Sequence, residues 1–380
     1  MIRQVIRGIT WNHSRALPPL VATAQRFEEI FPSIHIQWEK RTLHEFGHMG
    51  LAELAGAFDL LIVDHPMMGD AHASGMLLDL MPMLPQRTID EMRADALGAS
   101  FESYFYKGSL YALPVDAAAP AASFRPDLLA AAGFEPPRTW EDLLCLAQQG
   151  LVVMPGFPAD LFLNFMGLYV SLGGEISNEG QLTDHETELQ AIDLLKQLSS
   201  AISAEIGEMN PIALYERMAG ESTAAYCPFA YTYSNYSRDG FARHLLEFVS
   251  PVTLRGRPIR TVLGGTGIAI SSRCSIPDVA LQYCLLTAGD TWQRTLYGAC
   301  GGQPARRSAW QDSTLNALTH NFFQKTQASI ETAYVRPRYP GYTGFQESAG
   351  IPLAHCLCGK TSPTEALSQM HRLQEQTTKG

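Results

Sequence analysis

A chain of 380 residues is long enough for two domains at about 150 residues each, and its 46% hydrophobic and 17% charged content is that of an ordinary globular protein. No apolar run reaches the roughly 18 residues needed to cross a bilayer, so no direct membrane insertion is expected. With 28 Lys and Arg against 38 Asp and Glu, a net charge of −10 opposes the counterion release that nucleic acid or an anionic surface rewards, and neither partner is expected.

The first residues, Met1 to Ile9, lack the apolar stretch and small-residue cleavage site of a secretory signal. Cys145, Cys227, Cys274, Cys284, Cys300, Cys356 and Cys358 are scattered without framework spacing, as is natural where thiols stay reduced. A cytoplasmic location is the expectation, and a periplasmic one is the alternative if a leader has been removed.

Val5 to Thr10 reads as a first strand that delivers the polar loop Trp11-Asn12-His13-Ser14-Arg15. Pro18 and Pro19 suit a helix start, where their missing N–H groups have no partners to lose, and Leu20, Ala24, Phe27 and Phe31 fall at helical spacing. Ile34, Ile36 and Trp38 alternate with polar residues as a second strand. A second helix with the stripe Leu43, Phe46, Gly50 and Leu54 leads to the buried strand Phe58 to Val63, ended by Pro66. Strands joined by helices mean a parallel sheet.

Tyr106 to Leu110 is a short hairpin, followed by a strand ending at Pro114 and a small-residue strand from Ala117 to Phe124. Gly133 closes a helix begun at Pro126, Thr139 caps another, and Thr183 with Glu186 makes a capping box for a third. Between these last two, Leu161 to Leu172 is an apolar helix. Ala224 to Pro228 is a strand that empties into an aromatic loop, Phe229 through Tyr236, and Gly264 to Ile270 gives a glycine turn and an apolar strand. The remainder reads as helical.

In this order and local pattern the chain resembles the extracellular solute-binding proteins, type 1, the sugar-binding-protein-like substrate receptors of ABC importers. Gly108-Ser109-Leu110-Tyr111-Ala112-Leu113-Pro114 is similar to the family's G-x-x-Y-A-L-P crossing. Ala132-Gly133-Phe134-Glu135-Pro136-Pro137-Arg138-Thr139-Trp140-Glu141-Asp142-Leu143 is similar to its A-G-x-x-P-P-x-T-W-E-E-L, and Leu172-Gly173-Gly174, Met218 to Glu221 and Gly264 to Ile270 follow in the family's order. The likeness runs from about residue 5 to about 310, and Arg336-Pro337-Arg338-Tyr339 departs from it as a subgroup feature.

The resemblance implies an α/β fold of the periplasmic-binding-protein-like class II, with two α/β lobes joined by crossing strands and a small-molecule ligand in an interlobe cleft. Residues 1–114 with 264–310 would form lobe 1, and residues 115–263 with 311–380 lobe 2. The resemblance favours a carbohydrate as ligand and an ABC permease as partner, while the arginines keep a carboxylate- or phosphate-bearing metabolite open; no cofactor and a monomeric state are expected. A cytosolic ligand sensor acting through a protein partner is the alternative on the same fold.

Ligands in open α/β sheets sit outside the carboxyl ends of the strands. That architecture selects Trp11, Asn12, His13 and Arg15 after the first strand and Asp64 and His65 after the third. Asn and Asp suit hydroxyl groups, and Arg15 suits a carboxylate or phosphate; caps of the following helices would equally explain Asn12 and Asp64. Tyr231 and Tyr233, with Asn235 and Tyr236, offer aromatic faces with polar tips, as does any half-buried loop. Gly265 and Thr266 with Gln303 mark glycine-rich turns where backbone could approach a ligand. Arg15 is expected to serve binding rather than stability, and Asp64 to find donors from backbone, Arg15 or ligand.

Enzymatic readings lack support. No Gly-x-Ser-x-Gly elbow and no phosphate-binding Gly-x-x-x-x-Gly-Lys loop is present. His355, Cys356 and Cys358 have no second cluster to complete a metal site, and His44 and His48 do not complete His-Glu-x-x-His, so no metal is expected.

Overall fold

The computed structural model describes residues 3–42, 50–177, 180–202 and 209–379. Strand β1 (Gln4–Trp11) leads to helix α1 (Leu17–Ile30), whose second position is a proline and whose buried face carries Leu20, Ala24 and Phe27. Strand β2 (Ile34–Arg41), helix α2 (Leu51–Ala57) and strand β3 (Leu60–Val63) follow, and every residue of β3 is buried. Leu43 and Phe46 of the expected second helix, and His44 and His48, lie outside the described residues. Farther on come β4 (Leu113–Ala118), β5 (Pro120–Phe124), α3 (Pro158–Ser171), α4 (His185–Ala201), β6 (Tyr226–Tyr231), β7 (Glu247–Val249), β8 (Gly264–Ile270), α5 (Pro277–Thr287) and α6 (Pro363–Lys379).

Contacts divide the chain into two compact units. The first holds Met1–Ala118, Gly264–Phe323 and Arg338–Thr343; the second holds Ala119–Leu263, Gln324–Pro337 and Gly344–Gly380. The first crossing therefore falls after Ala118 rather than after residue 114. Residues 311–323 and 338–343 join the first unit instead of the second. In the former segment Trp310 packs edge-on against Phe323, 5.1 Å between ring centroids. In the latter Arg338 donates to the carbonyls of Glu102, Ser103 and Phe105, and the Gly341 N–H donates to Asp70. The ties of Arg338 and Gly341 reach residues far away in sequence, which local pattern does not register.

The sheet of the first unit has the order β2-β1-β3-β8-β4. β1 runs parallel to β2 and β3, whereas β8 runs antiparallel to both of its neighbours, so the carboxyl ends of β1, β3 and β4 and the amino end of β8 share one edge of the sheet. Helices α1 and α5 cover one face. Tyr283 on α5 ties the packing together: its hydroxyl lies 2.9 Å from Thr23 Oγ1 and accepts from Trp38 Nε1 at 3.1 Å.

The second unit has a sheet of order β6-β5-β7, antiparallel throughout. Two prolines placed by sequence at strand ends lie inside strands instead. Pro114 is in β4 and Pro228 in β6, both edge strands, and each sits where the pairing register shifts, so its missing N–H breaks no ladder bond. The expected strand from Ala117 to Phe124 is divided at Ala119 between β4 and β5. The expected box from Thr183 gives way to Asp184, whose carboxylate accepts from the Glu186 and Thr187 N–H groups and caps α4. Thr139 caps its helix as expected, and does so in a capping box with Asp142.

Candidate ligand-binding site

At the shared edge of the first sheet, β1 ends at Trp11, which is buried, and Asn12 is exposed with its backbone N–H donated to the Arg41 carbonyl at 2.7 Å. A tight turn follows: Arg15 N–H donates to His13 Nδ1 at 2.9 Å, and the Ala16 and Leu17 N–H groups donate to the His13 carbonyl. This turn folds the Arg15 side chain back over the sheet edge, with its guanidinium 6.0 Å from the Trp11 ring. Burial, and then the Arg15 charge, push the His13 imidazole down to about 3, so it is neutral.

The partner of Arg15 is Asp116, near the end of β4. Arg15 Nε donates to Asp116 Oδ2 at 2.8 Å and Nη2 donates to Oδ1, a two-pronged ion pair with both side chains buried. Burial raises the Asp116 carboxyl above its ordinary value, while Arg15 and the Gln303 backbone N–H pull it down; the nearby Asp64 carboxylate raises it further. Tyr297, fully buried, lies within reach of both charges. Sequence reasoning missed Asp116 because it reads as one polar residue between an apolar strand and a run of alanines.

Asp64 sits directly after β3 and keeps a quarter of its side chain in solvent. Its Oδ1 accepts from the His65 N–H at 2.8 Å and lies 3.2 Å from His65 Nδ1. The capping role is thus real, since the carboxylate starts the single turn at His65–Met67, but one side remains exposed. His65 is buried and faces Tyr104 edge-on at 6.4 Å.

Thr266 stands opposite Asp116 across β8 and β4, so the two side chains emerge on the same face of the sheet. Its hydroxyl is buried with no hydrogen-bond partner among the described residues. Gly265 is a glycine for a structural reason: its φ is +100° and a β-carbon there would run into the Asp116 carbonyl. Gln303 also serves the sheet. Its Nε2 donates to the Ala117 carbonyl at 2.8 Å and its own carbonyl accepts from Ala117 N–H at 3.0 Å, which closes the outer edge of β4.

In the second unit Tyr231 is the last residue of β6 rather than part of the loop, and its hydroxyl donates to the Leu263 carbonyl at 3.4 Å. The following residues are packed: Tyr233 and Tyr236 both lean on Tyr215, and Tyr236 donates to Glu216 at 2.7 Å. Tyr231 keeps partial exposure, whereas Tyr233 is buried. A further residue is Asp160, in the first turn of α3. It is half-buried and has neither an ion pair nor a hydrogen bond among the described residues, and burial pushes its carboxyl up to about 7. In sequence it is indistinguishable from any acid that complements a helix dipole.

Among the described residues no cluster of His, Cys, Asp and Glu could hold a metal, and no helix is long and apolar enough to cross a membrane. Residues 49–323 match the family model described as bacterial extracellular solute-binding protein. Solved structures with a similar fold include a maltose-bound MalE3 from T. maritima, at a TM-score of 0.82, 18% identity and coverage of 98% of this chain and 99% of that one. Another is an ABC transporter solute-binding protein from Agrobacterium radiobacter K84 in complex with ribitol, at a TM-score of 0.81 and 20% identity over 100% of this chain and 99% of that one. A third, from Thermotoga lettingae TMO with bound alpha-D-tagatose, has a TM-score of 0.82 at 16% identity over 98% and 99%.

Proposed function

Since this chain belongs to the bacterial extracellular solute-binding protein family, we propose that it captures a polyhydroxylated solute, a carbohydrate or a polyol, and hands it unchanged to an ABC permease. The observation that carries the ligand class is the chemistry at the carboxyl edge of the first sheet. Asp64 presents a part-exposed carboxylate and Asn12 an exposed amide, and behind them Thr266 holds a buried hydroxyl with no partner among the described residues. Those groups accept from and donate to hydroxyls. Maltose, ribitol and alpha-D-tagatose in the similar structures are ligands of this kind.

Handing solute to a permease goes with a location on the outer side of the membrane, and cell fractionation tests it. The ligand is read from a thermal-shift screen over sugars, polyols, organic acids and nucleotide-like metabolites. A binder present at 100 times its Kd stabilises the folded protein by about 2.7 kcal/mol. The expected hits are sugars or polyols, recovered intact by mass spectrometry after incubation; hits confined to nucleotide-like compounds, or a chemically altered ligand, overturn the proposal.

A further inference from the structure

Resting on that reading of the ligand, we propose that the Arg15–Asp116 ion pair sets charge selectivity: it spends the Arg15 cation inside the protein, so that the site takes uncharged polyols and rejects their acids. An arginine after the first strand is the group that would capture a carboxylate, through two parallel N–H bonds. Here both prongs are already used on a carboxylate of the same chain. Neither side chain has room to re-orient, with 5% of Arg15 and none of Asp116 exposed.

The charges around the pair support the same conclusion. Asp64 is the part-exposed ionic group beside it, close enough to bear on Asp116, and an anionic ligand would meet that carboxylate first. Arg41, which ends β2 opposite Trp11, is itself buried, and His13 is neutral. Among the described residues the buried or half-buried ionic groups at this edge therefore balance, Arg15 and Arg41 against Asp64 and Asp116, and a ligand of net charge would unbalance them in a place where water screens poorly.

Asp116→Asn removes the internal counter-ion while keeping the shape, which leaves the Arg15 charge to be met from outside. Isothermal titration with matched probes (ribitol and ribonate, D-mannitol and D-mannonate, maltose and maltobionate) measures the ratio of acid to neutral affinity. The wild-type protein should favour the neutral member by at least tenfold. In Asp116→Asn that ratio should move toward the acid by at least tenfold. Arg15→Gln, which leaves Asp116 negative, should move it the other way, and Arg15→Gln combined with Asp116→Asn should restore the wild-type order.

Should Asp116→Asn fail to fold, the Arg15→Gln variant and the double variant, which carries two neutral amides, still read the effect. A wild-type preference for the acid, or ratios unchanged across the folded variants, overturns the inference and leaves the polyol-receptor reading standing. A wild-type protein that binds neither member of any pair overturns both.

Discussion

Arg15 and Asp116 stand 101 residues apart in sequence and meet as a buried, two-pronged ion pair at the edge of one sheet. Charged groups so buried are costly when left alone, so losing either partner should be far worse than losing both. Arg15→Ala and Asp116→Ala are each expected to cost about 3–5 kcal/mol, while Arg15→Met with Asp116→Leu should fall close to the wild type. Urea melts of the three proteins give the comparison, and additive losses would show that the two residues are not coupled. This reverses the expectation from sequence that Arg15→Ala would leave stability alone, because burial of the guanidinium could not be read from a loop position.

The C-terminal helix α6 rests on a carboxylate with two imidazoles. Glu188 Oε1 is 2.7 Å from His371 Nε2, and Oε2 is 3.3 Å from His185 Nδ1, with the Glu188 side chain buried. The hydrogen bond to Glu188, against some desolvation and helped by the Glu188 and Glu375 charges, raises His371 above 6.5. Its folded value is the higher one, so the stabilisation is complete below about 6.5 and fades as pH rises through that folded value. Amide exchange in α6 should therefore quicken, relative to the intrinsic rate, as pH rises above about 6.5, and His371→Gln should remove the dependence; a helix equally protected on both sides of that value would argue against the linkage.

Asp160 runs on the same sign. With its carboxyl raised to about 7 by burial, the folded state binds a proton more readily than the unfolded chain, and stability declines as pH climbs from about 4 past 7. Asp160→Asn should be neutral near pH 3, below both values, and stabilising at pH 8 in chemical denaturation without ligand. An equal effect at both values would mean that the carboxyl is not displaced.

Gly265→Ala tests the close approach of β8 to β4. A methyl there meets the Asp116 carbonyl on a backbone that already sits at φ +100°, and the expected cost is about 2 kcal/mol or more. A melt that shifts by less than the equivalent of 0.5 kcal/mol would exclude the clash.

Where a segment declares its own periodicity, as α1 and β8 do, sequence placed it within a residue or two of its final bounds. The strand-end residues from Trp11 to Arg15 and Asp64 to His65 were legible for an architectural reason, since parallel strands deliver their carboxyl ends to one edge. What could not be seen was which long-range partner each side chain would find. Gln303 and Gly265 looked like ligand neighbours and turn out to shape β4, and Asp116, the partner that reorganises the site, carried no local mark. Prolines misled for a related reason: Pro114 and Pro228 end a strand only if it is central, and position in the sheet is a property of the whole unit.

The order β2-β1-β3-β8-β4 also carries a schedule. On a ribosome adding about 5–20 residues per second, β8 is made roughly 7–30 s after β4, although it is the strand that lies between β3 and β4. Throughout that delay the nascent first unit has a gap at its centre, with the apolar flank of β3 unpaired and open to any other strand nearby. The second unit, emitted during the same interval, still lacks its last two segments. Such a chain gains from being bound and kept unfolded until nearly all of it is made, and single-turnover refolding of the full chain should be slow and sensitive to protein concentration in a way that a chain with sequence-contiguous domains would escape.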